Sequence, residues 1–123
     1  MPPVPTTPVV LAAELPPPPA PVVWDKDSVI ALATSEAEKR GVNVEQFVGT
    51  IECEVRKENG VWVVDGKSYY PEDSWGVLQV NLPSHPTITK AQAQDPAFIV
   101  PWGAEQFANG RQRMWTCWRT RYG

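Results

Sequence analysis

Apolar positions along this chain fall first at helical and then at strand spacing, and the change of period marks its elements. From Trp24 onward, Val29, Leu32, Ala33 and the pair Glu36-Ala37 lie three and four apart, which predicts a first helix through about Arg40. Asp25 or Asp27 is placed to cap it, and Gly41 to end it. Asn43, with Gln46 three residues later, has the pattern of a capping box opening a second helix. Val44, Val48, Ile51 and Val55 form one stripe of that helix, and Phe47, Ile51 and Glu54 lie on the adjacent face. The period then shortens. Asn59-Gly60 turns the chain, Val61 to Val64 reads as a strand, and Asp65-Gly66 predicts a hairpin with a return strand over Lys67 to Tyr70. Ser74 is placed to cap a short helix reaching Val80, and Pro83 and Pro86 limit it. Thr89 with Gln92 repeats the capping-box pattern. Asp95-Pro96 opens a further helix, kinked at Pro101, with Phe98, Ile99, Trp102 and Phe107 as its packing face. Gly110 breaks it before a last basic and aromatic piece containing Met114, Trp115 and Trp118. Helices, a small β excursion, then helices again make an α+β outline, mostly α, in which the β part forms one wall of a cleft.

Residues 1–24 are of different material. Nine of the chain's 14 prolines fall there, including Pro16 to Pro19. Proline fixes φ and lacks an amide donor, so the stretch favours an extended tether. It also suits an arm that docks a protein partner, with Val9 to Leu15 as the contact. The rest, 25–123, is enough for one domain of roughly 100 residues. A formal net charge of -3 removes the bulk basic character expected of a nucleic-acid binder. Arg111, Arg113, Arg119 and Arg121 make only the tail locally basic, which suits either an anionic wall or a solvated face. No apolar run approaches the ~18 residues of a membrane span. Val9 to Ala13 is short, lacks a basic flank and runs into Glu14, so no clear signal peptide is read there. Cys53 and Cys117 are too few and too far apart for a zinc cluster, and form either one disulfide or two buried thiols. There is no phosphate loop, dinucleotide fingerprint or nucleophile elbow, so no cofactor and no metal is expected.

An ordered set of motifs carries the chemistry. Ile51-Glu52-Cys53-Glu54 is followed by Ser74-Trp75-Gly76-Val77-Leu78-Gln79-Val80-Asn81-Leu82-Pro83-Ser84-His85-Pro86, then Asp95-Pro96, Gly110 and Trp115-Thr116-Cys117. Over about residues 27–118 this resembles the transglycosylase-like branch of the lysozyme superfamily, the soluble lytic transglycosylase and goose-type lysozyme kind found in phages and bacteria. The resemblance implies a two-lobed, α-rich lysozyme-like fold with a sugar groove between the lobes. It implies Glu54 as the catalytic acid, Ser74 and Gly76 in the wall beside it, Gln79 and Asn81 near bound sugar or supporting the loop, and a bridge between Cys53 and Cys117. Trp75 and Tyr70 are further cleft residues. Two features depart from the family pattern: Val55 stands where a serine commonly follows the acid, and only Tyr122 loosely matches the C-terminal tyrosine element.

The residues support that chemistry on their own terms. A glutamate in a partly apolar cleft holds its proton and can deliver it to a leaving glycosidic oxygen. Glu52 and Glu58 are less well placed than Glu54. A second carboxylate would come from Asp65, Glu72 or Asp73, with Asp65 better explained as a turn residue. Lytic transglycosylases need none, because the substrate's acetamido group assists and a 1,6-anhydro sugar results. The expected function is therefore cleavage of the β-1,4 bond between N-acetylmuramic acid and N-acetylglucosamine in peptidoglycan, by the lytic route. The alternative is a catalytically weak wall-binding or structural part of a phage particle or secretion apparatus. Either places the protein outside the cytoplasm, at a cell wall or on a virion. His85, the single histidine, reads as loop packing.

Overall fold

A computed structural model describes residues 22–68 and 71–123. The proline-rich stretch up to residue 21, and Tyr69 and Tyr70, lie outside the described residues; Tyr70 as a cleft residue and the end of the expected strand over 67–70 fall there. Among the described residues the protein is a small α+β domain, mostly helical, with two short antiparallel hairpins.

Helix α1 (Lys26–Lys39) starts where Asp25 and Ser28 exchange hydrogen bonds, each side chain accepting the other's amide at 2.9 Å. That complete capping box selects Asp25 over Asp27. Helix α2 (Val44–Glu54) is capped by Asn43, which accepts the Gln46 amide at 2.9 Å. The reciprocal half of the expected box is absent, because the Gln46 side chain accepts the Trp118 indole N–H at 3.2 Å instead. Phe47, Thr50 and Ile51 are buried, while Val44 and Val48 are half-buried, so the core face of α2 is the one that ends on Glu54.

The β region departs from the expected register. Strands β1 (Arg56–Glu58) and β2 (Val61–Val63) pair directly across Asn59-Gly60, one turn earlier than the sequence pattern suggests. Asn59 and Gly60 both take positive φ (52° and 77°), as a two-residue type I′ turn requires. Gly66 does not, so Asp65-Gly66 turns the chain without closing a hairpin, and among the described residues of the expected return strand Lys67 makes a bridge to Trp75. The short helix expected after Ser74 is a second hairpin, β3 (Ser74–Trp75) with β4 (Val80–Asn81). Ser74 is a buried strand residue and not a helix cap. Left-handed backbone at Gly76 (φ 80°) and Gln79 (φ 46°) is incompatible with a helix there.

Helix α3 (Lys90–Gln94) keeps its Thr89–Gln92 capping box, and helix α4 (Pro96–Ala108) has Asp95 as cap and runs on through Pro101. Its buried face is Ile99, Val100, Gly103 and Ala104, turned slightly from the expected one, and Phe98 remains 37% exposed. Gly103 leaves room for the Leu78 and Phe47 side chains, which a Cβ there would meet at 2.3 and 3.4 Å. Helix α5 (Thr116–Tyr122) follows a 3-10 turn over Gln112–Met114. The buried apolar side chains form one cluster centred on Val29, Phe47, Ile51, Leu78 and Ile99. From it a run of edge-to-face and tilted rings extends outward, Phe47 to Phe107 to Trp115 to Trp102 to His85, with centroids 5.0 to 6.1 Å apart. Trp115 is buried, and its indole N–H donates to the Leu78 carbonyl at 2.7 Å, which satisfies the donor that burial would otherwise strand.

Cys53 and Cys117 form a disulfide with Cα atoms 5.9 Å apart, joining the end of α2 to the start of α5. Closing a loop of 64 residues contributes about 4 kcal/mol in the chain-entropy account. No helix among the described residues is long and apolar enough to cross a membrane.

Candidate active site

Glu54 is the last residue of α2, half-buried at the point where helix gives way to hairpin. Val55, buried behind it, turns the chain out of the helix in extended conformation. Lys57 reaches back to close the helix end, donating from Nζ to the carbonyls of Glu52 and Val55. The disulfide beside Glu54 brings the start of α5 against it, and the Cys117 amide donates to Glu54 Oε1 at 3.2 Å. One carboxylate oxygen is thereby fixed and the group has a single orientation toward the groove.

Its acidity follows from that setting. Burial raises the Glu54 carboxyl above the ordinary glutamate value, and the charge of Glu72 raises it further. The Cys117 amide and the Arg119 charge pull the other way without reversing the shift. The net direction favours the protonated acid.

Two cavities meet at Glu54, Glu72 and Gln79. The first, about 380 Å³, continues past Asn81, His85, Met114 and Trp115. The second, about 450 Å³, continues past Val55, Arg56, Lys57 and Ser68. Both lie in the size range of ordinary small-molecule sites. Together they place a site for extended ligand on either side of one half-buried acid.

The residues expected at the site separate into two groups. Glu54, Gln79 and Asn81 line the groove. The Gln79 amide nitrogen donates to the carbonyls of Gly66 (3.0 Å) and Gly76 (2.8 Å), so it ties two loops together at the groove. Asn81 caps the turn over Leu82–Ser84, accepting from Ser84 N at 3.1 Å and Ser84 Oγ at 2.9 Å, while also lining the first cavity. Ser74, Trp75 and Gly76 line neither cavity and act behind the wall. Ser74 is wholly buried and its hydroxyl donates to Glu72 Oε1 at 3.1 Å. Trp75 is covered on its ring by Lys90, 4.0 Å from the centroid, and its N–H is held by Asp73 at 2.7 Å. Gly76 presses on α3: a Cβ there would lie 1.8 Å from the Ala93 carbonyl oxygen.

Other groove residues were not singled out by sequence. Glu72 stood level with Asp65 and Asp73, but it alone of the three lines the groove; nothing in one-dimensional spacing separates them. Met114, Trp115 and Thr116 form the far wall because the disulfide folds α5 back onto α2. His85 packs edge-on against Trp102 as loop packing requires, yet it also faces the first cavity, and burial lowers its pKa. Tyr122 lies on another face, with Gly49 and Glu45, away from Glu54. The tail arginines are partly engaged: Arg121 donates to the Gly49 carbonyl at 3.0 Å, and Arg113 sits over the Trp118 ring at 5.6 Å. Among the described residues no cluster of three or more His, Cys, Asp or Glu side chains is arranged to hold a metal ion.

Comparison of the chain with protein-family models, with curated proteins and with solved structures gives no match. The functional reading therefore rests on the geometry of the groove and the motif order of the sequence.

Proposed function

We propose that this protein cleaves the β-1,4 glycosidic bond between N-acetylmuramic acid and N-acetylglucosamine in peptidoglycan strands, with Glu54 as the general acid. The observation that carries the reading is a half-buried carboxyl, raised in pKa by burial, at the meeting point of two open cavities. A raised pKa favours the protonated form of such an acid, which can donate to a glycosidic oxygen as the bond to the anomeric carbon stretches. The amides of Gln79 and Asn81 suit acetamido sugars, whose N–H and C=O groups need an acceptor and a donor. Met114, an exposed residue of the groove wall, offers apolar surface to a sugar face. This reading takes the domain as lysozyme-like, with the helices and the hairpins as the two sides of the groove. The disulfide fits an oxidising destination, outside the cytoplasm at a wall or on a virion.

The test is a zymogram or turbidity assay on purified peptidoglycan. Glu54→Gln keeps the size and the acceptor for Cys117 but has no proton to give. The expected loss is about 10²–10⁴-fold. Equal clearing by both proteins would remove Glu54 from its role. Binding of peptidoglycan without clearing by the wild type would move the function to the alternative, a wall-binding component, which Val55 in place of the family's serine favours.

A further inference from the structure

Two features of the sequence have no part in the groove at Glu54: the apolar pair Val44 and Val48 on α2, and the proline-rich arm. Val44 and Val48 are half-buried, because the core takes the neighbouring face of Phe47 and Ile51. They floor a third cavity, about 350 Å³, between α1, α2 and α5. Ile30 and Thr34 of α1, both half-buried and about one turn apart, supply its other side. Tyr122 of α5 closes it. Its hydroxyl donates to the Glu45 carbonyl at 3.4 Å, and Arg121 beside it donates to the Gly49 carbonyl at 3.0 Å. This cavity shares no lining residue with the two that meet at Glu54.

We propose that this third cavity is the docking site of the chain's own arm, with Leu15 to Pro21 laid along α1 and α2. Pro16 to Pro19 offer ring surface and no amide donor, so they cover apolar side chains without stranding a hydrogen bond. Leu15 to Val23 carries no charged side chain, whereas the rim of the cavity carries Glu45 and Glu52 against Arg121. An uncharged segment suits that rim, and an anionic wall polymer does not. The reach is sufficient. The Val23 carbonyl accepts the Ser28 hydroxyl at 2.8 Å, which fixes where the arm leaves, at the start of α1. Thr34 lies about 12 Å along α1 from Lys26. An extended proline segment covers about 3.1 Å per residue, so the stretch from Pro21 back to Pro16 spans that distance with its turn included. The tether also holds the segment near the cavity at roughly millimolar effective concentration, which a separate proline-rich partner does not match. Because the two sites share no lining residue, docking here stands whether or not the groove cleaves glycan.

Isotope-edited NMR on the full chain tests this. Nuclear Overhauser contacts are expected from the δ-protons of Pro16 to Pro19 to the methyl groups of Ile30, Val44 and Val48, unchanged on dilution. Replacing the four prolines together (P16S, P17S, P18S and P19S) is expected to abolish those contacts. It should also shift the amide signals of Ile30, Thr34, Val44, Val48 and Tyr122, while those of Glu54 and Gln79 stay in place. The substitutions lie outside the apolar core, so the domain keeps its fold, and the dispersion of the remaining signals verifies it. A peptide of residues 15–23 added to the serine variant is expected to return the shifted signals toward their wild-type positions. Absence of the contacts in the wild type, or amide signals alike in the two proteins, overturns the proposal. Contacts that fade on dilution would give the cavity to the arm of a second copy, and contacts from the prolines to Met114 or His85 would give the arm to the groove. Either result overturns it as well.

Discussion

The two sides of the groove are built differently. The helical side, α2 with α5, is held by the apolar core and by a covalent bridge. Phe47 and Ile51 of α2 are fully buried, Trp118 of α5 nearly so, and the Cys53–Cys117 disulfide closes the pair beside the acid. The hairpin side, from Arg56 to His85, has little core of its own beyond Val77, Leu78 and Val80. It is shaped by side chains bonded to distant backbone: Arg56 to the Lys67 carbonyl at 2.9 Å, Gln79 to Gly66 and Gly76, and Gln94 to the Asp65 carbonyl at 3.1 Å. The helical side therefore carries stability together with Glu54, and the hairpin side carries geometry. Polar bonds of this kind add about 1 kcal/mol each in net stability, so they fix position better than they hold the fold.

Breaking the bridge should have the largest effect. Cys53→Ala with Cys117→Ala is expected to lower stability by about 2–5 kcal/mol, seen as an earlier midpoint in denaturant with a steeper slope, because the unfolded chain without its bridge is more open. Activity should fall as well, since the Cys117 amide no longer has a fixed place against Glu54. A double variant as stable as the wild type would show that the core alone holds the helical side.

On the hairpin side, Gly76→Ala should act mainly on function. The new methyl meets the Ala93 carbonyl and is held at a φ of 80°, so β3 and β4 must shift away from α3. Strain and crowding of this sort cost about 1–3 kcal/mol. The loss of activity should exceed what that destabilisation explains, because Glu72, Gln79 and Asn81 move together. Full activity in a folded Gly76→Ala protein would contradict the division of labour between the two sides.

The smallest effect concerns pH. Glu54 has a folded pKa raised above its unfolded value, so in the window between the two the native state binds more protons than the unfolded one. Its contribution to stability therefore falls as pH rises through that window, and above it stays at its least favourable level. Glu54→Gln removes this penalty and keeps an acceptor for the Cys117 amide. The variant is expected to melt slightly higher than the wild type at neutral pH and to lose the advantage in acid. A variant that melts lower at neutral pH would show that the carboxylate form is welcome in its site.

The same contrast explains what was legible in the sequence. The helices were readable because their signals are local. Asp25 with Ser28, Thr89 with Gln92 and Asp95-Pro96 fix starts within one turn, and three- and four-residue apolar spacing fixes the buried face. Glu54 ends the buried face that Phe47 and Ile51 mark, but spacing alone gives it no role; the role of acid is what the resemblance implies. The hairpins were misread because their determinants are distant or conformational. Asn59-Gly60 and Asp65-Gly66 look equivalent in sequence, and only the pairing of Arg56 with Val63 selects the first. Gln79 is a non-glycine residue at positive φ, held there by bonds to Gly66 and Gly76 that no spacing rule announces. Glu72 gained its place for the same reason, through Ser68 and Ser74. In the resemblance, Ser74 and Gly76 shape the wall; in the fold they line neither cavity and bond to the residues that do, Ser74 to Glu72 and Gly76 to Gln79.

The account turns on the proton held by Glu54. Carbon-13 NMR titration of its side-chain carboxyl measures this directly, with Glu54→Gln assigning the resonance. The expected midpoint lies above the ordinary glutamate value of 4.5, and it moves down when the neighbouring charge is removed in Glu72→Gln. A midpoint at or below the ordinary value, unmoved by that substitution, would mean that the carboxyl sits ionised in water and has no proton to give a glycosidic oxygen.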